Sequence, residues 1–330
     1  MLRIHFTGRD LGGVRMAAGP DPLWETILSF HRLRDRRGAP AFGEWRRETR
    51  VRLKGETRLL GALIPRRGYF PDFLNPPESR LGLAEGLEAL RATPGVRVRT
   101  ELALLGSGSP ALPARVAALR EDEPAGLGRL AGALRAYHRA AVEPYWPHIR
   151  ARTEADRVVR GRALLDGGAD ELLATLPPMI RWRAPVLEAD YPVERELSLD
   201  GRGLLLQPSF FCRDTPVVYR DPGLPPVLVY PVTHADGPTA AGHGGRGAGP
   251  SLGRLVGRTR SAVLGAIEHG TTTSELARRA GVSLASASQH ACVLREAGLV
   301  VTLRHGNAVL HTLTPLGAAV LYGGARPSGD

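Results

Sequence analysis

The last part of the chain alternates apolar and polar residues, first with a helical period and then with a strand period. Apolar residues at helical spacings predict a first helix: Leu252, Leu255, Val256, Val263, Leu264 and Ile267. His269-Gly270 supplies a stop for that helix. Thr272 and Glu275 then form a capping-box pattern, in which a hydroxyl and a carboxylate satisfy free N–H groups at the start of a second helix.

A tight turn between two helices is predicted next. Leu276 and Ala280 lie one helical turn apart on a common face. Gly281 fits a left-handed C-cap, and Ser283 is suited to N-cap a helix that runs from 284 to about 297. This spacing is typical of a helix-turn-helix.

Two strand-like runs follow this pair of helices. They cover 299–304 and 308–313, and His305-Gly306-Asn307 makes a compact turn between them. A β-hairpin directly after such a helix is a wing, and a short last helix is predicted over 316–322. This order of elements predicts a winged helix-turn-helix over 252–325.

The outer face of the second helix of the pair is the candidate DNA-reading surface. Ala287, Ala291 and Leu294 recur at helical spacing and should face the core. The residues left outside are small or polar: Ala285, Ser286, Ser288, Gln289, His290 and Cys292. In a major groove, Gln289 can pair with N6 and N7 of adenine, and the serine hydroxyls can reach base edges or phosphates.

Four basic residues flank that surface. Arg278 and Arg279 on the first helix of the pair are placed to hold the DNA backbone. Arg304 and His305 at the wing are placed to contact phosphates or the minor groove. We therefore predict that the chain binds double-stranded DNA. The alternative is an ordinary solvated face on a winged helix that is used for protein contact.

This region resembles the ArsR-type winged-helix repressors. The resemblance is carried by Thr272–Ser283, Ser286–Val300, Arg304–Asn307 and Val309–Gly317, which together cover about a quarter of the chain with their surroundings. It implies a homodimer that binds an inverted repeat and represses nearby genes.

One departure from that family concerns metals. Metal-sensing members carry a Cys-x-Cys-type box in the helix-turn-helix, and the corresponding stretch 275–280 contains no cysteine. His290 and Cys292 are two residues apart on a helix and project in different directions, so they make a poor pair of metal ligands. We expect no metal site and no metal or arsenite sensing.

The segment 234–251 divides the chain. It holds six glycines and two prolines and has no Leu, Ile, Val or aromatic residue, so it should be a flexible linker. The run 242–247 is also glycine-rich enough to suggest a phosphate-cradling loop. It lacks the Lys-Ser/Thr of a P-loop and the GxGxxG spacing.

The first 233 residues are predicted to form a separate α+β domain, with helices first and an antiparallel sheet after. A helix over 22–33 begins with proline and carries an apolar stripe. Further helical stretches are predicted at 79–91, 113–120, 127–142, 151–165 and 169–176. Strands are predicted at 3–7 and 14–17, joined by a Gly12-Gly13 turn, and at 186–191, 195–199, 203–207, 217–219 and 227–230.

This arrangement resembles the domain of unknown role that precedes an ArsR-type winged helix in many actinobacterial regulators. The resemblance rests on 2–33 and 199–231 and brings no known ligand with it. We expect this domain to dimerise the protein, to bind a small-molecule effector, or both.

The N-terminal domain offers few candidates for catalysis. His138, Glu143 and His148 form an H-x4-E-x4-H pattern, but steps of five residues turn roughly 140° each on a helix, and Pro144 and Pro147 interrupt it. Cys212 is expected to be a small buried hydrophobe. The four tryptophans are predicted to form core, with an apolar ligand pocket as the alternative: Trp24, Trp45, Trp146 and Trp182.

Composition and charge add little. Apolar residues make up 43% and charged residues 23%, an ordinary globular balance. We expect a soluble, cytoplasmic protein, because the N-terminus has no signal-peptide pattern and no apolar run is long enough to span a membrane. The net charge of +11 indicates nucleic acid only weakly. All but one of the basic residues are arginine, as GC-rich codon usage would favour.

The sequence therefore predicts a homodimeric, DNA-binding transcriptional regulator, a repressor more readily than an activator, with no catalytic residues and no cofactor. The competing hypothesis is an enzyme or protein-interaction protein whose winged helix is a targeting or contact module.

Overall fold

The computed structural model describes residues 1–35, 39–53, 57–66, 68–106, 119, 123–232, 250–267, 271–305 and 308–322. The chain divides into two compact units. Unit 1 holds Met1–Pro144 and Arg160–Val232, and unit 2 holds Tyr145–Val159 and Thr233–Asp330. The fold is of the mixed α+β class that the sequence predicts.

The observed division differs from the predicted one in two places. The predicted domain 1–233 is interrupted, because Tyr145–Val159 groups with the C-terminal residues. The predicted linker 234–251 lies outside the described residues up to 249, and its last two residues begin a helix that starts at Pro250.

The helices of unit 1 are α1 Gly8–Gly12, α2 Pro22–Arg34, α3 Ala39–Arg52, α4 Thr57–Leu63, α5 Leu83–Arg91, α6 Gly95–Gly106 and α7 Glu123–Ala141. The next helix, α8, runs over Trp146–Ala174 and contributes to both units. Short 3-10 turns lie at Asp72–Leu74, Pro77–Arg80 and Glu143–Tyr145.

Helix α2 forms where local signals predict it. The Asp21 carboxylate accepts hydrogen bonds from the backbone N–H groups of Leu23 (2.9 Å) and Trp24 (3.1 Å), and Pro22 occupies the first turn. The apolar stripe of Leu23, Ile27, Phe30 and Leu33 is buried.

Other predicted helices are confirmed with shifted bounds. The stretch 79–91 becomes the 3-10 turn Pro77–Arg80 followed by α5, and 127–142 becomes α7. The two stretches 151–165 and 169–176 fall in α8, which a non-helical Gly168 (φ +70°) divides into two helices, as predicted. The stretch 113–120 lies outside the described residues except for Leu119. Helices α3, α4 and α6 were not predicted.

The predicted antiparallel sheet is wrong. The observed strands form two sheets: β1 Leu2–His5, β3 Ile180–Arg183, β4 Val186–Ala189 and β5 Arg195–Ser198 in one, and β2 Arg15–Met16, β6 Leu205–Ser209 and β7 Val227–Pro231 in the other. The first has the order β3-β4-β1-β5, with β1 antiparallel to β4 and parallel to β5. In the second, β2-β6-β7, both strand pairings are parallel. Strand β3 was not predicted, and the predicted strand 217–219 is reduced to an isolated antiparallel bridge between Val217 and Val229.

The predicted hairpin near the N-terminus is also wrong. Helix α1 separates β1 from β2, because Thr7 and Asp10 form a reciprocal capping box at its start. The two strands therefore join different sheets. One apolar core joins both sheets, and it includes Leu2, Ile4, Leu187, Leu206 and Leu228.

Unit 2 contains α9 Pro250–Val256, α10 Arg258–Ala266, β8 Thr271–Thr272, α11 Thr273–Ala280, α12 Leu284–Glu296, β9 Val300–His305, β10 Ala308–Leu313 and α13 Pro315–Tyr322. The three strands form an antiparallel sheet of order β8-β10-β9. The single helix predicted from the apolar spacing over 252–267 is two helices, because Gly257 adopts φ +88° between them. Strand β8 was not predicted, and the other later helices and strands lie where the sequence predicts them.

The core of unit 2 contains most of the apolar residues that the helical spacing singled out, but Leu255 is 78% exposed. Four of them are fully buried: Val263 and Leu264 of α10, Ile267 directly after that helix, and Leu276 of α11. Ala287, Ala291 and Leu294 of α12 are buried with them, so the predicted inner face of this helix is confirmed.

Candidate nucleic-acid interface

The turn between α11 and α12 has the predicted caps. Gly281 adopts the left-handed conformation with φ +65° and ends α11. The Ser283 hydroxyl accepts a hydrogen bond from the backbone N–H of Ser286 (3.2 Å) and begins α12. The Thr272 hydroxyl accepts from the N–H of Glu275 (3.3 Å), which is one half of the predicted capping box. These caps set the direction in which α12 leaves α11.

The outer face of α12 is open to solvent. Ala285, Ser288 and Gln289 are exposed, whereas Ser286, His290 and Cys292 are half-buried. The structure thus brings the predicted reading residues together on one helix, with their side chains outside the core. Leu284, the first residue of α12, is 55% exposed and was not among the residues predicted for this surface.

The Glu275 carboxylate accepts hydrogen bonds from both arginines of α11. Arg278 donates to it from Nε (3.1 Å) and Nη2, and Arg279 donates from Nε (2.8 Å). These hydrogen bonds, first from Arg278 and then from Arg279, lower the pKa of Glu275 to about 2. The predicted role of Glu275 in the capping box is therefore replaced by ion pairs that hold both guanidinium groups on the exposed side of α11.

Cys292 lies in a short row of polar contacts along α12. Its thiol donates to Oε1 of Glu296 (3.3 Å), and its sulfur accepts from Nη2 of Arg295 (3.2 Å). These partners sit three and four residues away on the same helix, so they hold the thiol against the helix surface.

The hairpin β9–β10 lies directly after α12. Its register pairs His305 with Ala308 and Arg304 with Val309. The side chains of Arg304 and His305, and the turn residues Gly306 and Asn307, lie outside the described part of the chain. The backbone nevertheless places both basic residues at the turn end of β9.

A buried histidine joins α11 to the hairpin. His311 on β10 is 3% exposed, and its Nδ1 lies 3.0 Å from the Thr302 hydroxyl on β9. Its Nε2 lies 3.1 Å from the Thr273 hydroxyl at the start of α11. Burial, and then the charge of Arg295, lower the pKa of His311 to about 4, so the ring is neutral at pH 7. His311 was not predicted as a site residue, because it stands in a strand run whose neighbours the sequence does not reveal.

The neighbouring residue of β10 makes a second contact. The Thr312 hydroxyl is hydrogen-bonded to Nδ1 of His148, and both residues are buried. His148 belongs to Tyr145–Val159, the segment that groups with unit 2. Side chains of adjacent strand residues point to opposite faces of a sheet. The sheet is therefore held from both faces, at His311 on one and at Thr312 on the other.

The H-x4-E-x4-H residues are not brought together. Helix α7 ends at Ala141 and α8 begins at Trp146, so the predicted interruption of the helix is confirmed. His138 lies in unit 1, where its Nδ1 is 2.8 Å from the Thr26 hydroxyl, and burial lowers its pKa to about 4. His148 makes the contact with Thr312 in unit 2.

The predicted core residues Cys212, Trp24 and Trp45 are buried in unit 1. Cys212 is 1% exposed, and burial raises its pKa to about 12. Trp24 and Trp45 are 3% and 5% exposed, whereas the other two tryptophans, Trp146 and Trp182, are half-buried. The thiol of Cys212 is therefore protonated at neutral pH, as expected of a small buried hydrophobe.

A buried carboxylate of unit 1 was not predicted. Glu25 on α2 is fully buried and accepts hydrogen bonds from the N–H groups of Phe210 (2.8 Å) and Phe211 (3.1 Å). Burial raises the pKa of Glu25 to about 7. These hydrogen bonds give Glu25 a structural role, since they join α2 to the chain after β6.

Among the described residues, no group of three or more His, Cys, Asp or Glu side chains is arranged to hold a metal ion. Within the same ranges, no helix is long and apolar enough to cross a membrane. Comparison with protein-family models, with curated proteins and with solved structures finds no match.

Proposed function

We propose that residues 250–322 form a winged helix-turn-helix that binds double-stranded DNA, and that the protein is a homodimeric transcriptional regulator. In this proposal α12 is the recognition helix and the hairpin β9–β10 is the wing. The observation that carries it is the exposed outer face of α12, which begins directly after a capped turn. The hairpin β9–β10 follows α12 at once, and the third strand of its sheet, β8, precedes α11.

The chemistry of α12 supports insertion into a major groove. Recognition helices contact base edges mainly through their N-terminal residues, and small side chains there allow a close approach. Ala285 and Ser288 are small and exposed, and Gln289 offers both a donor and an acceptor to adenine. The exposed Leu284 adds an apolar surface of the kind that contacts the methyl group of thymine.

The charge around α12 supports contacts with phosphates. Arg278 and Arg279 are exposed and share the Glu275 carboxylate, which keeps both guanidinium groups on one side of α11. Arg304 and His305 are proposed to contact the backbone or the minor groove from the wing. Such contacts give affinity without sequence preference, whereas α12 supplies the selectivity.

The homodimer and the repressor role rest on the resemblance to the ArsR-type repressors and not on contacts within the chain. A two-fold dimer would read two half-sites one DNA turn apart, about 34–36 Å. Unit 1 is proposed to dimerise the protein, to bind an effector, or both. An effector regulates DNA binding only if it has different affinities for the two states of the protein.

The test is a fluorescence-anisotropy titration of the full chain against its own upstream DNA and against an unrelated duplex of equal length, at two salt concentrations. We expect selective binding to the upstream duplex, with two chains per duplex and an affinity that falls steeply with salt. Equal, salt-labile binding to both duplexes would contradict the proposal, because it would leave only attraction between arginines and phosphates.

A further inference from the structure

Four arginines converge at the C-terminal end of α2 in unit 1. Arg32 lies on α2, Arg46 and Arg50 lie on α3, and Arg213 follows β6; we call them the arginine cluster. Burial lowers the pKa of Arg46; nearby Asp35 opposes this, while the charges of Arg32, Arg50 and Arg213 lower it further. The four guanidinium groups are therefore electrostatic neighbours.

Two members of the cluster stabilise the end of α2. Nε of Arg46 donates to the carbonyl oxygen of Arg32 (2.7 Å), and Nη2 of Arg50 donates to that of Leu33 (3.2 Å). Carbonyl groups in the last turn of a helix lack partners within the helix and carry partial negative charge. Arg46 and Arg50 thus have a structural role at α2.

The other two members have donors that the fold leaves unused. The side chain of Arg32 is 13% exposed, and its buried Nε has no hydrogen-bond partner among the described residues. Its buried Nη1 has no hydrogen bond either and makes only long ion pairs with two aspartates. Nη1 of Arg213 is also buried and has no hydrogen-bond partner among the described residues. Leaving a buried donor unpaired is unfavourable, more so on a charged group.

The nearby carboxylates only partly balance this charge. Asp214 lies between the two arginines, with its oxygens 3.7 Å from Nη1 of Arg32 and 3.5 Å from Nε of Arg213. Asp35 lies 3.6 Å from Nη1 of Arg32. Within this group of six side chains, the arginines outnumber the aspartates by two. Arg213 and Asp214 are 30% and 53% exposed, so the cluster meets solvent on their side.

We propose that the arginine cluster binds the oxyanion of a small acidic ligand, a carboxylate or a phosphate group, through Arg32 and Arg213. The planar fork of a guanidinium matches both groups with two parallel hydrogen bonds. An oxyanion that approaches from the exposed side of Arg213 and Asp214 supplies an acceptor for a guanidinium that lacks one and offsets the positive charge of the arginines. This site belongs to unit 1 and does not depend on DNA binding.

The test uses the full chain without DNA. Inorganic phosphate and citrate are titrated by isothermal calorimetry at constant ionic strength, with chloride as the balancing salt. The variant Arg213→Gln removes one partly exposed guanidinium of the cluster. The control Arg162→Gln removes an 82% exposed guanidinium of the same unit, which pairs with Asp166 at 3.6 Å. Circular dichroism checks that both variants are folded.

We expect saturable binding of at least one anion, weakened about 10-fold or more by Arg213→Gln and unchanged by Arg162→Gln. Binding of phosphate alone identifies a phosphate ligand, and binding of citrate alone identifies a carboxylate. Absence of saturable binding, or equal weakening by both variants, overturns the proposal. If Arg213→Gln does not fold, Arg213→Lys retains the charge without the planar fork and should still weaken binding.

Discussion

At the scale of single residues, Gln289 and Arg304 are expected to affect DNA binding in different ways. Gln289→Ala should remove discrimination at one base position, at a cost of about 1–3 kcal/mol for the preferred base pair. Arg304→Ala should weaken binding to all duplexes about equally and make the salt dependence shallower. Anisotropy titrations against a set of single-base variants of the upstream site distinguish the two effects. If both replacements weaken every duplex uniformly, α12 is not the reading surface.

The burial of His311 should make the stability of unit 2 depend on pH. Its pKa is lowered from 6.5 to about 4, so the unfolded chain binds more protons than the folded one between these values. The free energy of unfolding should therefore fall as the pH drops from about 6.5 to about 4, by up to roughly 3 kcal/mol. Urea unfolding of the full chain at several pH values, followed through unit 2 by hydrogen exchange, measures this.

The variant His311→Gln is expected to be less stable at pH 7 but to lose less stability on acidification. His290→Gln, on the half-buried part of the α12 surface, serves as the matched control. An unchanged pH dependence in His311→Gln would mean that other groups cause the acid sensitivity.

The residue-scale predictions from sequence succeeded where a local pattern was sufficient. The spacing of Ala287, Ala291 and Leu294 placed them in the core, since helical period alone decides which face they share. The partners of His311 come from another strand and another helix, so no local pattern reveals them. Glu275 fitted a capping box by spacing, but two arginines one turn later compete for its carboxylate.

At the scale of secondary-structure elements, replacement by alanine should have opposite effects on stability at two glycines of unit 2. Gly281 has φ +65° and Gly265 lies within α10, and an added Cβ at either position would meet no atom within 4 Å. Gly281→Ala should destabilise the protein by about 1–2 kcal/mol, because its backbone conformation is left-handed. Gly265→Ala should stabilise it by roughly 0.5–1 kcal/mol.

Thermal unfolding of the two variants measures these changes. Since neither replacement creates a clash, the difference between them isolates the backbone of the turn. Equal effects would show that the turn relaxes easily and does not fix the direction of α12.

Elements were predicted far better than their pairing. The proline at the first turn of α2 and the Ser283 cap of α12 are local signals, so both helices were found close to their observed bounds. The partners of β1 lie almost the whole of unit 1 away, at Val186–Ala189 and Arg195–Ser198. Alternation within a strand does not specify its partner or direction, and the sheets were therefore wrongly predicted as one antiparallel sheet.

At the scale of the whole molecule, the contact between His148 and Thr312 is expected to stabilise unit 2 across a long stretch of sequence. A double-mutant cycle of His148→Phe and Thr312→Val should give a coupling energy of about 1 kcal/mol, because each single variant leaves the other polar group buried without its partner. Hydrogen exchange of the β10 amides in the full chain measures it.

The control cycle combines His148→Phe with Thr302→Val, whose hydroxyl is bonded to His311 instead. We expect a coupling energy near zero there. A coupling near zero in the His148–Thr312 cycle as well would show that this hydrogen bond contributes nothing to unit 2.

The domain boundary could be predicted only in part. The glycine-rich composition of 234–251 marked the change of domain, because such a segment has no apolar residues to bury. The assignment of Tyr145–Val159 to unit 2 depends on contacts with residues far along the chain. Nothing in the local pattern around Trp146 distinguishes that part of α8 from the rest.

The hydrogen bond between His148 and Thr312 also sets an order of events during synthesis. The two residues are separated by 164 residues, so at about 5–20 residues per second the histidine is synthesised roughly 10–30 s before its partner. Until then Tyr145–Val159 lacks the C-terminal residues with which it forms unit 2. Unit 2 can therefore be completed only near the end of translation, after most of unit 1 has been synthesised.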